Sequence, residues 1–483
     1  MNVEKNLKRG IFYTAIGKYS NVVIQLLVTA ILSRILSPVE YGIVAVVNVF
    51  LLFFQMLADS GIGPAIVQNK ELNKSDLISI FSLTIYSGIV LSCIFALLGY
   101  PMGVLYGETI YVSLFPLLGL CVLFYTITIV PQAILMKTMN FKIVNFLTIF
   151  SNIASGLVGV ILAVSHFGVY SLIFSNIVKA MVLFIALYSK AKINFYWKVS
   201  KSSIGKIFEF SKFQFLFNFW NYFARNLDNL LIGRLISPSD LGYYDKAYQL
   251  SLYPNQILSQ VVTPALHPIM SNFQDNISKI GEVYLQISRI FVIVGIPISA
   301  YLYFNAQYVV TFMFGDNWSQ SVPVFQILAA TIWLQMANSP TGAFYQATNQ
   351  TKLLFRIGLL TSFINILAIV IGVMLQSIQC VAYMLLISFS LSLVINTLYL
   401  TKKVLNISAQ KYIKPILINL TIISPYIVFN LFISDFVNDL ILHLSVQFVI
   451  LHLSVQFVIL FLIWGIGMYI SGEYRRVFAV IRK

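Results

Sequence analysis

Charge is scarce in this sequence. Only 10% of its 483 residues are Asp, Glu, Lys or Arg, while 59% are hydrophobic. A water-soluble domain carries about 25% charged residues, so a soluble domain of any size is excluded. Cysteine is nearly missing: Cys93, Cys121 and Cys380 are scattered through apolar segments without a CxxC pair, which argues for packing thiols over a disulfide framework or a metal site. His166, His267, His443 and His452 form no ligand cluster. No GxxxxGK[ST] phosphate loop occurs, so the chain carries no ATPase of its own. The lone GxG in "DSGIGPA" at 59–65 reads as a helix bend. No DxD motif and no sizeable outer loop is present, which argues against a membrane glycosyltransferase or polysaccharide polymerase. The expectation is a protein that is not an enzyme and needs no cofactor.

What the chain has in abundance is apolar runs of membrane-spanning length, about 20 residues each. Fourteen are expected, at 11–36, 40–66, 77–105, 111–135, 143–164, 169–189, 210–236, 241–266, 283–313, 322–346, 353–375, 379–400, 415–434 and 440–470. The fold class is therefore an all-α polytopic membrane protein. The first run, preceded by Lys5, Lys8 and Arg9, exceeds the roughly 7–15 residues of a signal-peptide core and is read as a retained span. Of the 31 Lys and Arg residues, 24 fall in every second connection, and the alternate connections ("SPVE", "GET", "SHFG", "SPSD", "GDNWSQS", "QSIQ", "SDFVND") hold none. By the positive-inside rule both termini are cytoplasmic. The net charge of +15 then reflects lysine-rich loops against an anionic leaflet, and nucleic-acid binding need not be invoked.

One phrase is written twice. "SRILSPVEYG" at 33–42 and "GRLISPSDLG" at 233–242 align at a shift of 200 residues, and without a gap Pro64-Ala65 meets Pro264-Ala265 while Asn21 meets Asn221. Ser-Pro-x-acid also starts helices by itself, but the matched residues on both sides favour a true repeat. Six spans separate the copies, an even number, so the repeat is parallel, as in transporters whose two lobes rock about a midplane site. The division expected is an N-lobe at 1–189 (spans one to six), a basic linker at 190–209, a C-lobe at 210–400 (spans seven to twelve), and a 401–483 segment with the last two spans and a cytoplasmic tail.

Seven basic residues lie outside the cytoplasmic connections: Lys18, Arg34, Lys179, Arg225, Arg234, Lys246 and Arg289. Ionisable groups inside spans are costly and usually face the bundle interior. Span seven carries a polar stripe of Asn218, Asn221, Tyr222, Arg225, Asp228 and Asn229; Lys18, Asn21, Gln25 and Thr29 repeat it weakly in span one. Arg34, Arg234 and Lys246 lie near outer helix ends and Lys18 and Lys179 toward inner ends, where snorkelling is the competing explanation; Arg289 is a similar case. Arg225 is mid-span, and its alternative is an ion pair with Asp228. The excess of cations points to an anionic substrate, and guanidinium matches phosphate oxygens through its bidentate fork. Asp59 and Asp228 are the candidates for coupling to an H+ or Na+ gradient. A drug exporter for organic cations would favour acids instead. The nonapeptide "ILHLSVQFV" at 441–449 recurs at 450–458 and carries no functional weight in this reading.

The stretches "LSRILSPVEYGIVAVVNVFLLFFQMLADSGIGPAIVQNKEL" at 32–72 and "ARNLDNLLIGRLISPSDLGYYDKAYQL" at 224–250 resemble the openings of the two halves of polysaccharide-transport flippases in the multidrug/oligosaccharidyl-lipid/polysaccharide (MOP) superfamily. The resemblance implies a V-shaped pair of pseudo-symmetric six-helix lobes plus two C-terminal helices. It also implies transport of undecaprenyl-diphosphate-linked oligosaccharide units across the bacterial cytoplasmic membrane, for exopolysaccharide, teichuronic acid or O-antigen. Cavity-facing cations hold the diphosphate in that family, which by position points first to Arg225, then to Arg34 and Arg234, with Lys18, Arg289, Asn218, Asn221 and Asn229 around them. Membrane lipids and polysaccharide polymerase or export proteins are the implied partners. The alternative inside the superfamily is a multidrug or other lipid exporter.

Overall fold

The computed structural model describes residues 3–59, 61–196, 222–223, 225–271, 276–441 and 446–476. Regular structure among them is entirely helical. Eleven helical stretches are long and apolar enough to cross a membrane: 16–35, 38–68, 74–106, 111–137, 141–164, 169–191, 277–304, 351–374, 378–404, 409–432 and 449–470. This is a multi-pass membrane protein. Three expected spans are not among the eleven. That at 210–236 begins outside the described residues. That at 241–266 lies in one long helix containing a buried charged pair. That at 322–346 is three helices of nine, seven and seven residues in series, interrupted around Thr331 and Pro340.

The chain divides into two compact units, Met1–Gly242 and Tyr243–Lys483. The first holds α1 (Val3–Ile35), α2 (Pro38–Asp59), α3 (Ile62–Gln68), α4 (Lys74–Leu97), α5 (Gly99–Tyr106), α6 (Tyr111–Lys137), α7 (Phe141–Val164), α8 (Val169–Ala191) and α9 (225–235), and ends in the first turn of α10 (Pro238–Ser271). Local chemistry sets the boundaries. Asn73 accepts from the Asp76 amide at 2.8 Å and Asp76 accepts from the Asn73 amide at 3.1 Å, a reciprocal cap that starts α4. At the expected bend in 59–65, Gly61 takes a left-handed φ of +82° that few other residues tolerate, and Pro64 sits in the following first turn. Along α7 the exposed side chains Phe146, Phe150, Ile153, Leu157, Ile161 and Val164 recur every three or four residues, the stripe of a helix whose outer face is solvated by lipid. Inside, Phe50, Phe54, Phe95 and Phe115 form a chain of rings 4.9–5.9 Å apart, and Ser92 of α4 donates to the Gly119 carbonyl of α6 at 2.7 Å, the close approach that a small residue permits.

The second unit holds the rest of α10, then α11 (Ile277–Phe304), α12 (Ala306–Phe314), α13 (Ser321–Ala329), α14 (Ile332–Asn338), α15 (Thr341–Ala347), α16 (Thr351–Met374), α17 (Ile378–Tyr399), α18 (Ala409–Ile441) and α19 (Val446–Ile470). Tyr284 stacks on Tyr412 at 5.8 Å and meets Phe344 edge-on at 5.1 Å, joining α11, α15 and α18. The second nonapeptide copy is built into this unit. His452 bonds to Asn305 at 3.2 Å, Asn305 donates to the Tyr426 hydroxyl at 3.1 Å, and the Leu453 carbonyl accepts from Tyr301 at 2.8 Å. Residues 442–445 of the first copy lie outside the described residues.

α16 and α17 cross where Gly372 meets Val381: a Cβ at Gly372 would fall 2.6 Å from the Val381 Cα and 3.0 Å from its nitrogen. Backbone cannot yield as a side chain does, so Gly372→Ala is expected to destabilise by about 1–3 kcal/mol, read as a lower thermal midpoint of the detergent-solubilised protein. Gly358→Ala, where the added methyl meets nothing within 4 Å, is the control and is expected to leave that midpoint unchanged or raised.

Candidate functional site

The duplicated phrase folds the same way twice. Ser37 donates from its hydroxyl at 2.8 Å and its amide at 2.7 Å to Glu40, and its oxygen accepts from the Glu40 amide at 3.4 Å. Ser237 donates to Asp240 at 2.5 Å and accepts from the Asp240 amide at 3.0 Å. Each Ser is thus an N-cap, each Pro the first helical residue and each acid the third; Glu40 also takes the Ser37 amide and completes a capping box at α2, while Asp240 takes the Ser237 hydroxyl at α10. The shared phrase therefore carries a shared local structure. Arg34 and Arg234, three residues ahead of the two caps, end α1 and α9, and both are exposed.

α9 brings three candidates together. Arg225 is exposed, Asp228 is buried, and Asp228 accepts from the Asn229 amide at 2.9 Å. The side-chain oxygen of Asn229 is buried without a hydrogen-bond partner among the described residues. Just before α9, Tyr222 donates to the Val49 carbonyl of α2, and Phe223 packs on Phe53 with ring centroids 5.0 Å apart. The start of α9 is thereby fixed to α2 in the first unit. No Arg225–Asp228 ion pair occurs among the described residues, and Asn218 and Asn221 lie outside them.

Other candidates have structural partners. On α1, Asn21 accepts from Asn152 of α7 at 2.7 Å, and a Cβ at Gly17 would press on Asn145, so this part of the polar stripe packs against polar residues of α7. Lys18 is half-buried and engaged by the protein. Asp59 accepts from the Gly63 amide at 3.2 Å, satisfying a first-turn donor of α3. Arg289, in the second unit, lies 3.3 Å from Glu473, which also receives Arg476 at 2.7 Å; the Glu473 side chain is fully buried. Lys179, read from sequence as near an inner helix end, sits midway along the 23-residue α8 and is half-buried.

Sequence reasoning missed two polar constructions in the second unit. Lys246, assigned to an outer helix end, is buried with Asp245: its ammonium is 4.0 Å from the carboxylate, and Gln249 links them, accepting from Lys246 at 3.4 Å and donating to Asp245 at 2.7 Å. The four-residue spacing of Asp245 and Gln249 was the available signal. Glu473 is three residues from Arg476, a local signal of the same kind, but its other partner, Arg289, is 184 positions away and left none.

Residues 31–323 match the family described as "Polysaccharide biosynthesis protein", and the chain belongs to that family. It is 25% identical over 367 residues to the teichuronic acid biosynthesis protein TuaB of Bacillus subtilis (strain 168), covering 73% of this chain and 74% of that one. It is 23% identical over 426 residues to the lipopolysaccharide biosynthesis protein WzxC of Escherichia coli (strain K12), covering 86% and 84%. Its fold matches that of the lipid II flippase MurJ in an inward closed conformation, with a TM-score of 0.75 at 15% identity over 96% of this chain and 99% of that one. The expected kinship with polysaccharide-biosynthesis membrane proteins therefore stands, and the fold is shared with a lipid II flippase structure.

Proposed function

We propose that this protein is a flippase that moves undecaprenyl-diphosphate-linked oligosaccharide units across the bacterial cytoplasmic membrane for surface polysaccharide assembly. One observation carries the reading: the family match at 31–323 contains both capped phrases and every intramembrane cation except Lys18. Two pseudo-symmetric six-helix lobes, fourteen spans in all and both termini cytoplasmic, complete the architecture. The lobes alternate access to a cationic central cavity in which Arg225, with Arg34 and Arg234, takes the diphosphate. Guanidinium groups pair with phosphate oxygens in a bidentate fork, and the lipid tail stays in the bilayer while only the polar head crosses. The excess of cations over acids in the spans supports an anionic cargo over the organic cations of a drug exporter.

The test is reconstitution. Proteoliposomes loaded with undecaprenyl-diphosphate-linked oligosaccharide on one leaflet are expected to expose the sugar to an impermeant lectin on the other, at a rate that depends on the protein. Transport of a cationic dye in place of the glycolipid would sink the reading. An imposed H+ or Na+ gradient in the same vesicles shows whether Asp59 or Asp228 couples transport to an ion.

A further inference from the structure

Lys179 lies eleven positions from Gly168, which precedes α8, and eleven from Lys190 near its inner end. At 1.5 Å per residue that is about 16 Å of helix either way. The distance matches half the bilayer's hydrocarbon thickness of about 30 Å and far exceeds what a snorkelling lysine covers. Nor does Lys179 face lipid. Along this stretch of α8 the exposed residues are Met181, Ile185 and Tyr188, and two positions of helix turn Lys179 about 160° away from Met181. Buried Leu172 and Leu183, two turns before it and one turn after, share its face. Lys179 makes no hydrogen bond or ion pair among the described residues, and α6, α7 and α8 contain no Asp or Glu.

The neighbouring helices bring polar groups to the same depth. Ser175 of α8 donates to the Ser155 carbonyl of α7 at 2.8 Å. A Cβ at Gly159 would meet both Ser175 at 3.1 Å and Leu32 of α1 at 3.5 Å, so α1 and α8 flank one face of α7, the close approach that Gly and Ser permit. Nearer the inner end Leu187 and Val144 share a buried cluster. α7 and α8 therefore run antiparallel, with Lys179 level with 151–155. Asn152 lies on that shared face, two turns before Gly159, and donates to Asn21 of α1 at 2.7 Å. The amide nitrogen of Asn21 itself donates to no described residue. The first unit thus places an ammonium and an amide donor at one level, each without an acceptor of its own. An ionisable group at this depth marks a functional site, and such donors complement anionic oxygens. We propose that Lys179, with Asn21 and Asn152 at its level, forms a midplane subsite for an oxyanion of the cargo, a sugar carboxylate or the diphosphate. This rests on the flippase reading above and adds a cation outside the set of Arg225, Arg34 and Arg234.

The subsite is tested by binding to the full-length protein in detergent. Two probes are used: undecaprenyl diphosphate carrying a neutral disaccharide, and the same lipid carrying a disaccharide with one uronic acid. Lys179→Met keeps the length of the side chain without its charge and is expected to weaken binding by about tenfold or more. Its thermal midpoint is expected to stay level or rise, because no partner is stranded. Lys179→Arg, which keeps the charge, is expected to bind within about threefold of the unsubstituted protein. Weakening confined to the acidic probe identifies the carboxylate as the ligand, and equal weakening of both identifies the diphosphate. Unchanged binding of both probes by Lys179→Met overturns the subsite, as does unsubstituted protein that binds neither. A midpoint lowered by Lys179→Met, with an equal loss of binding in Lys179→Arg, also overturns it, in favour of a structural lysine. Should Lys179→Met not accumulate, Lys179→Gln is read by the same criteria. Binding needs no translocation, so a failure of the flippase reading shows separately, as bound glycolipid that never crosses in the vesicle assay.

Discussion

Arg225→Ala is expected to abolish most surface polysaccharide while leaving protein level and membrane insertion normal, with lipid-linked intermediates accumulating on the cytoplasmic side. Arg225 stands exposed in the first turn of α9, with no ion pair to Asp228 among the described residues. Its removal therefore strands no buried carboxylate partner, and little effect on folding is expected. On the proposed function, what is lost is the contact of Arg225 with the diphosphate. A hydrogen bond to a charged group contributes about 1.5–3 kcal/mol, which corresponds to roughly a ten- to hundredfold fall in transport. Arg225→Lys keeps the charge but not the planar fork, so partial export is expected from it. The measurement is surface polysaccharide by lectin or antibody binding, paired with thin-layer analysis of the lipid-linked pool. Normal export from Arg225→Ala would remove the diphosphate contact from the mechanism.

Glu473→Ala is expected to act on stability instead. Glu473 lies three residues beyond α19 with its side chain fully buried, between Arg289 of α11 and Arg476. Breaking a buried ion pair by removing one partner costs about 3–5 kcal/mol. Here the Arg289 and Arg476 side chains are 24% and 48% exposed, so water recovers part of the loss, and roughly 2–3 kcal/mol is the expected penalty. For a unit of this size that lowers the thermal midpoint in detergent by about 5–10 °C. The pair also tests Arg289 as a substrate ligand. If Arg289 serves only to hold Glu473, Arg289→Ala with Glu473→Ala is no less stable than Glu473→Ala alone, and export per folded molecule is unchanged. A fall in export per molecule specific to Arg289→Ala would return Arg289 to the cavity.

Arg225 and Arg289 look alike as isolated basic residues in apolar runs, and only their neighbours separate them. Arg225 makes no ion pair with Asp228 among the described residues of α9, while the chain's last segment folds Glu473 onto Arg289. Asp59 reads as an intramembrane acid, yet its carboxylate caps α3 four residues on. Lys246 reads as a snorkelling end residue, yet Asp245 and Gln249 hold it buried.

Composition and periodicity alone determined the class. Apolar runs about the thickness of a bilayer must become helices there, since only helices satisfy their own backbone in lipid. The alternation of lysine-rich loops and the repeated Ser-Pro-x-acid-x-Gly phrase were equally legible, because capping is a local interaction within four residues. Tertiary structure decided which charges have partners and that the 322–346 run breaks into three short helices. Those outcomes depend on contacts between residues as far apart as Arg289 and Glu473, and no local pattern encodes which distant side chain will fill a given space.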